Sequence, residues 1–114
     1  MSNNLKEEIQ SAAFMIIASV GEAKSHYMEA ITKSREGDID GARANIESGS
    51  IAYKEAHGHH FGLVSMEAND VDLPFSLLLV HAEDQLLTTE VIHLLAEELI
   101  VLYERVGSAQ MQLQ

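Results

Sequence analysis

The stretch Leu77–Leu87, reading Leu-Leu-Leu-Val-His-Ala-Glu-Asp-Gln-Leu-Leu, sets the terms for the whole chain. It puts His81 and Asp84 inside a run apolar enough to be interior, where an uncompensated polar group costs several kcal/mol. Read as a helix, the two residues stand at i and i+3, on one face and about 4.5 Å apart along the axis. That face continues through Leu77, Thr88, Val91, Leu95 and Leu102, and a second stripe of Val80, Leu87, Val91, Leu94 and Val101 is apolar as well. The apolar surface therefore wraps more of the cylinder than the arc of an ordinary surface helix. One short chain has too few helices to cover it, so this helix is expected to be shared between copies.

The 114 residues suit a single domain, 1–114. Asn4 followed by Glu7 resembles a capping box, and Leu5, Ile9, Ala12, Ala13, Ile16, Val20, Ala23, Tyr27, Ala30 and Ile31 recur at helical spacing. The first helix is expected from about Asn4 to Glu36, stopped by Gly37. Asp38 offers the next N-cap, and Ile39, Ala42, Ile46, Gly49, Tyr53, Ala56, His60, Leu63 and Val64 carry a second helix toward Glu67. Its glycines, Gly41, Gly49, Gly58 and Gly62, are read as marks of close packing. Asn69, Asp70 and Asp72 break the pattern, and Pro74 suits the first turn of a third helix that ends near Val106, with Gly107 as C-cap. Residues 1–3 and 107–114 are expected to fray. The fold class is all-α, an antiparallel three-helix bundle in up-down-up order that assembles as a homotrimer through the third helix.

Eighteen acidic residues against seven basic ones give a net charge of −11, and Lys and Arg are scattered singly. Such a surface repels phosphate backbones and anionic headgroups, which argues against nucleic acid as a partner. The lack of cysteine removes disulfides, thiolate catalysis and thiolate metal sites, and fits a reducing compartment. No segment resembles a signal peptide and no apolar run is long enough to span a bilayer, so a cytoplasmic protein without direct membrane insertion is expected.

Three chemistries compete for the polar residues. A neutral His81 imidazole can accept a phosphoryl group and pass it on, with apolar surroundings that limit hydrolysis; it can equally be a core histidine donating to a backbone or Asp84 oxygen. His57, His59 and His60 form a cluster, with Glu67 two turns beyond, that His81 and Asp84 could join as metal ligands; no Glu-x-x-His pair of the di-iron kind accompanies it. Asp84, placed on a threefold axis, would meet two copies of itself, and a divalent cation such as octahedral magnesium would relieve the repulsion; otherwise Asp84 pairs with Lys, Arg or His81. Met15, Met28 and Met66 read as gap fillers, and Glu97, Glu98, Glu104 and Arg105 as a solvated face. His26 and His93 read as surface residues without a role.

The segment Val80-His81-Ala82-Glu83-Asp84-Gln85-Leu86-Leu87-Thr88 resembles the signature of the enzyme IIA component of the lactose/cellobiose branch of the bacterial phosphoenolpyruvate-dependent sugar phosphotransferase system. Ile16-Ile17, Gly21-Glu22-Ala23-Lys24-Ser25, Glu29-Ala30, Gly37-Asp38, Ala56-His57 and Glu67-Ala68 extend the likeness along nearly the whole chain. The resemblance implies a trimer of three-helix bundles, phosphorylated on a histidine by the histidine phosphocarrier protein and relaying the group to a cysteine of the cognate enzyme IIB. It makes His81 the phosphoryl acceptor and Asp84 the ligand of one magnesium ion per trimer. It puts His57 and Gln85 in the phosphoryl pocket. It implies too that the sugar, whether lactose, cellobiose or chitobiose, is handled by the membrane component and not by this carrier. The sequence departs from the common pattern at Glu83 and Gln85, where the motif usually has glutamine and a second histidine, and at His60, Phe61 and Ser65, where it usually has Gln, Thr and Gln. Those departures keep two alternatives in play: a non-catalytic trimeric regulatory or interaction module, and a metal-binding bundle built on the histidine cluster.

Overall fold

The computed structural model describes the backbone of residues 2–113 and the side chains of residues 4–113. Three helices form a rod 69 Å long and about 20 Å across: α1 (Ser2–Arg35), α2 (Ile39–Ala68) and α3 (Leu77–Leu113). The α1–α2 turn is short because Gly37 adopts a left-handed φ of 91°, open to a residue without a Cβ, and Asp38 then caps α2 by accepting a hydrogen bond from the Gly41 amide at 2.9 Å. The second connection is longer. The Val71 amide bonds back to the Met66 carbonyl, and the Ser76 hydroxyl receives the Leu79 amide at 3.1 Å to start α3. Pro74 thus lies just before the helix and not in its first turn.

Other boundaries differ from expectation at the ends. α1 begins at Ser2, which places Asn4 inside the helix and removes the capping box. α3 does not stop at Gly107 but runs to Leu113, because that glycine keeps a negative φ and the residues beyond it, Ala109 to Leu113, are good helix formers. Met1 and Gln114 lie outside the described residues.

The core is thin. Eight of its fifteen fully buried apolar residues are alanines, so the helices approach closely and little large apolar surface is enclosed. One cluster joins Ala13, Ile16 and Val20 of α1 to Ala56 of α2 and to Ala82 and Leu86 of α3; a second joins Ala23 and Tyr27 to Ala52 and Ala96; a third joins Ala30, Ala42 and Ile100. This order shows α2 running antiparallel to α1 and α3 running parallel to it. Tyr27 is the largest buried side chain, stacked on His93 at 4.5 Å and sharing a hydrogen bond with the Ser50 hydroxyl at 3.2 Å. Gly49 makes room for it: a Cβ there would come within 2.6 Å of the tyrosine ring. Gly58 and Gly62, by contrast, face open space, so they do not mark the close packing the sequence suggested. α1 packs along both other helices, whereas α2 and α3 touch least. Among the described residues two side-chain bonds cross that seam, His60–Glu83 near one end and Arg43–Glu104 at the other.

The large apolar residues lie outside. Leu77, Val80, Leu87, Val91, Leu94, Leu95, Val101 and Leu102 are all between 43% and 71% exposed, which are the two stripes picked out on the third helix. A single chain leaves them uncovered.

Candidate functional site

α3 is built to present a face. Ala82 and Leu86 anchor its second and third turns in the core. Residues one or two positions away are then carried round to the outer side by the roughly 100° step of the helix. His81 and Asp84 accordingly stand exposed, with Leu77 one turn before and Leu87 and Thr88 one turn after. The site sits on the molecular surface of one chain, and it is apolar in its neighbours, not enclosed by them.

His81 lines a shallow apolar groove with Leu77 and Leu78. Those two leucines also wall the adjoining pocket between the start of α1 and the α2–α3 loop, where Lys6 and Gln10 supply polar groups. No side-chain hydrogen bond holds the His81 ring among the described residues, so a ring nitrogen is free to act as a nucleophile. The Asp84 carboxylate has no ion-pair or hydrogen-bond partner among the described residues either; its backbone carbonyl accepts from the Thr88 hydroxyl at 2.8 Å. An Asp84 pairing with Lys, Arg or His81 is therefore absent there. Gln85 is half-buried, one turn from His81 along α3.

The other candidates lie elsewhere. His57 is on α2, exposed, with its ring near-parallel to that of Phe61 at 6.5 Å, and among the described residues no hydrogen bond joins it to His81. His59 turns to the opposite side, into a groove against Ser11, Ala12 and Met15 of α1. His60 reaches across to α3 and bonds Glu83 at 2.7 Å. The three histidines of the cluster thus diverge, and among the described residues no three His, Asp or Glu side chains of one chain converge as a metal site. Within one chain the histidine cluster therefore assembles no metal site among the described residues. His57 and His60, at i and i+3, leave α2 on one side but meet different neighbours, Phe61 and Glu83, while His59 at i+2 leaves on the other.

The sequence did not show the partnerships of three histidines. Glu83 and His60 had appeared only as separate departures from a pattern; their opposite charge types on two helices were the available signal. His93, read as a surface residue, instead stacks on Tyr27 and hydrogen-bonds Glu97 at 3.0 Å, and His26 contacts Asn45 at 3.4 Å.

The class that the fold defines is a small all-α three-helix bundle with an exposed histidine on an apolar helix face. The sequence pattern described as "PTS system, Lactose/Cellobiose specific IIA subunit" matches residues 11–104. The chain belongs to this family, and so is a component of the sugar phosphotransferase system. It is 36% identical over 100 residues to a protein of Staphylococcus aureus (strain N315) called "PTS system lactose-specific EIIA component", spanning 88% of this chain and 97% of the relative. A "Lichenan-specific phosphotransferase enzyme IIA component" of Bacillus subtilis (strain 168) is 32% identical over 102 residues, spanning 90% and 93%. Among solved structures, the cellobiose-specific enzyme IIA of Bacillus anthracis superposes with a TM-score of 0.85 at 30% identity, covering 88% of this chain and 92% of that one. A solution structure titled as the IIA(Chitobiose)–HPr complex gives 0.77 at 28% identity, covering 87% and 96%. No helix of the described residues is long and apolar enough to cross a membrane.

Proposed function

We propose that this chain is a phosphohistidine carrier, with His81 as the acceptor. The observation that carries the reading is the His81 ring: exposed, free of side-chain bonds among the described residues, and set in an apolar groove on α3, within the range that matches the family. The donor is the histidine phosphocarrier protein, by analogy with the related chitobiose protein solved in complex with HPr. An unprotonated His81 nitrogen attacks the phosphorus in line; a P–N bond forms at His81 as the P–N bond to the donor's histidine breaks, and the donor ring leaves with the electron pair. The two rings exchange roles, so no net proton is taken up or released. In the second transfer, in the cytoplasm, a cysteine thiolate of the cognate enzyme IIB attacks the phosphorus; a P–S bond forms as the P–N bond to His81 breaks, and the His81 ring leaves with the electron pair, back in its starting state. Gln85 can donate a hydrogen bond to the phosphoryl oxygens from the same helix. His57, on α2, is the second residue assigned to the phosphoryl pocket.

The same reading makes the molecule a homotrimer closed around α3, the occupant that fits two exposed apolar stripes on one helix. Asp84 lies among them, and three unpartnered carboxylates gathered on one axis would repel strongly without a cation. Their oxygen donors suit one magnesium ion, which Asp84 from each copy would hold, and whose part is to neutralise that charge.

The test is transfer of labelled phosphate from phosphoenolpyruvate through enzyme I and the phosphocarrier. The wild-type chain should take up one acid-labile phosphate and His81→Ala none, with the circular dichroism of the two unchanged. Acceptance that survives in His81→Ala overturns the assignment, and no acceptance by the wild type would favour the regulatory module.

A further inference from the structure

We propose that His60 and Glu83 form a positioning pair that sets the rotation of α3 at His81. The inference rests on His81 being the phosphoryl acceptor. The bond runs from His60 Nε2, which must carry the hydrogen because a carboxylate only accepts, to Glu83 Oε2 at 2.7 Å. The two side chains are 22% and 43% exposed, more sheltered than the Arg43–Glu104 pair at the far end of the same seam, where both are half exposed.

Its place makes the pair consequential. Glu83 follows His81 by two residues, about 3 Å along the axis and about 200° around it. The two therefore lie at one level on opposite flanks of α3: Glu83 is tied to α2 while His81 points away from it. At this level the seam otherwise holds small or smooth apolar groups, Ala56 of α2 with Ala82 and Leu86 of α3. Methyl groups permit close approach but resist rotation weakly; a short charge-assisted hydrogen bond on one flank fixes the angle. At a radius of about 6 Å a 10° turn of the helix moves a side-chain tip by about 1 Å. A misplacement of that size costs on the order of a hundredfold in a reaction that depends on alignment.

His60 and Glu83 are each other's partner, and the Glu83 carboxylate is held on the α2 side, away from His81.

The experiment compares single-turnover rates and donor concentration dependence for phosphoryl acceptance from the phosphorylated carrier protein, with thermal melting of each variant alongside. His60→Ala and Glu83→Ala should each slow the maximal rate by about tenfold, less than the hundredfold of a full 1 Å shift because the core limits the rotation. The apparent KM for the donor should stay unchanged. The neutral pair His60→Gln/Glu83→Gln should recover the rate to within about twofold, because two amides can make the same cross-helix bond. If His60→Ala does not fold, Glu83→Ala and the double Gln variant decide. Equal rates in all variants, an effect confined to KM, or a double Gln variant as slow as the alanine variants would each overturn the proposal. A wild-type chain that takes no phosphate would overturn the acceptor assignment and the pair's role together, and is recognised by the absence of any rate to compare.

Discussion

At the scale of single residues, the arrangement separates groups that hold the bundle from groups that face outward. Tyr27 belongs to the first kind. Burial pushes its hydroxyl above the ordinary value of 10.0; the Ser50 hydrogen bond opposes the shift and the nearby Glu97 carboxylate adds to it. Tyr53 is raised too, by burial and then by Glu90 and Tyr27. A raised folded-state value means that the unfolded chain gives up the proton first. The stability tied to these rings is therefore complete below pH about 10 and falls as the pH rises through the folded-state values. Thermal melting between pH 8 and 11 should show this decline, and Tyr27→Phe should flatten it; an identical slope in the variant would remove Tyr27 as a cause. His81 and Asp84 belong to the second kind. Both were legible in the sequence as polar residues in an apolar run, and both proved unpartnered. The partners of His60 and His26 and the stacking of His93 on Tyr27 were not legible, because each joins different helices and depends on interhelical register; the His93–Glu97 bond, one turn apart on α3, was open to reading from spacing alone.

At the scale of elements, the three helices followed from apolar periodicity and from Gly37, Asp38 and the break at Asn69–Asp72. The glycines inside the helices were harder to read, since a glycine in sequence does not reveal what its missing Cβ would have met. Gly49 and Gly107 show the two cases. At Gly49 an added methyl would press on the ring of Tyr27, pinned between His93 and Ser50, so Gly49→Ala should destabilise the fold by about 1–3 kcal/mol despite the gain in helix propensity. At Gly107 nothing lies within 4 Å and the helix continues, so Gly107→Ala should stabilise α3 by up to about 1 kcal/mol. Urea denaturation of both variants tests the contrast. Equal and favourable effects would mean that α2 does not approach Tyr27 as described; a destabilising Gly107→Ala would mean that α3 ends there after all.

At the scale of the whole molecule, the chain buries alanine and exposes leucine. A domain built to stand alone would do the reverse, because a fully buried leucine contributes roughly 1.5–3 kcal/mol that these exposed ones forgo. The sequence already carried this, in a third helix with more apolar surface than two neighbours could cover; the thinness of the core, set by how closely alanines let α1 approach α2 and α3, did not follow from the pattern. The proposed carrier uses α3 for three purposes on one surface: association through its leucines and valines, charge balance at Asp84, and phosphoryl transfer at His81 on the flank. Native mass spectrometry after incubation with phosphoenolpyruvate, enzyme I, the histidine phosphocarrier protein and magnesium reads all three together. The account predicts a trimer holding one magnesium ion and up to one acid-labile phosphoryl group per chain, with the phosphate missing from His81→Ala and the ion missing from Asp84→Ala. A chain that stays monomeric, or a phosphate that persists in His81→Ala, would contradict it.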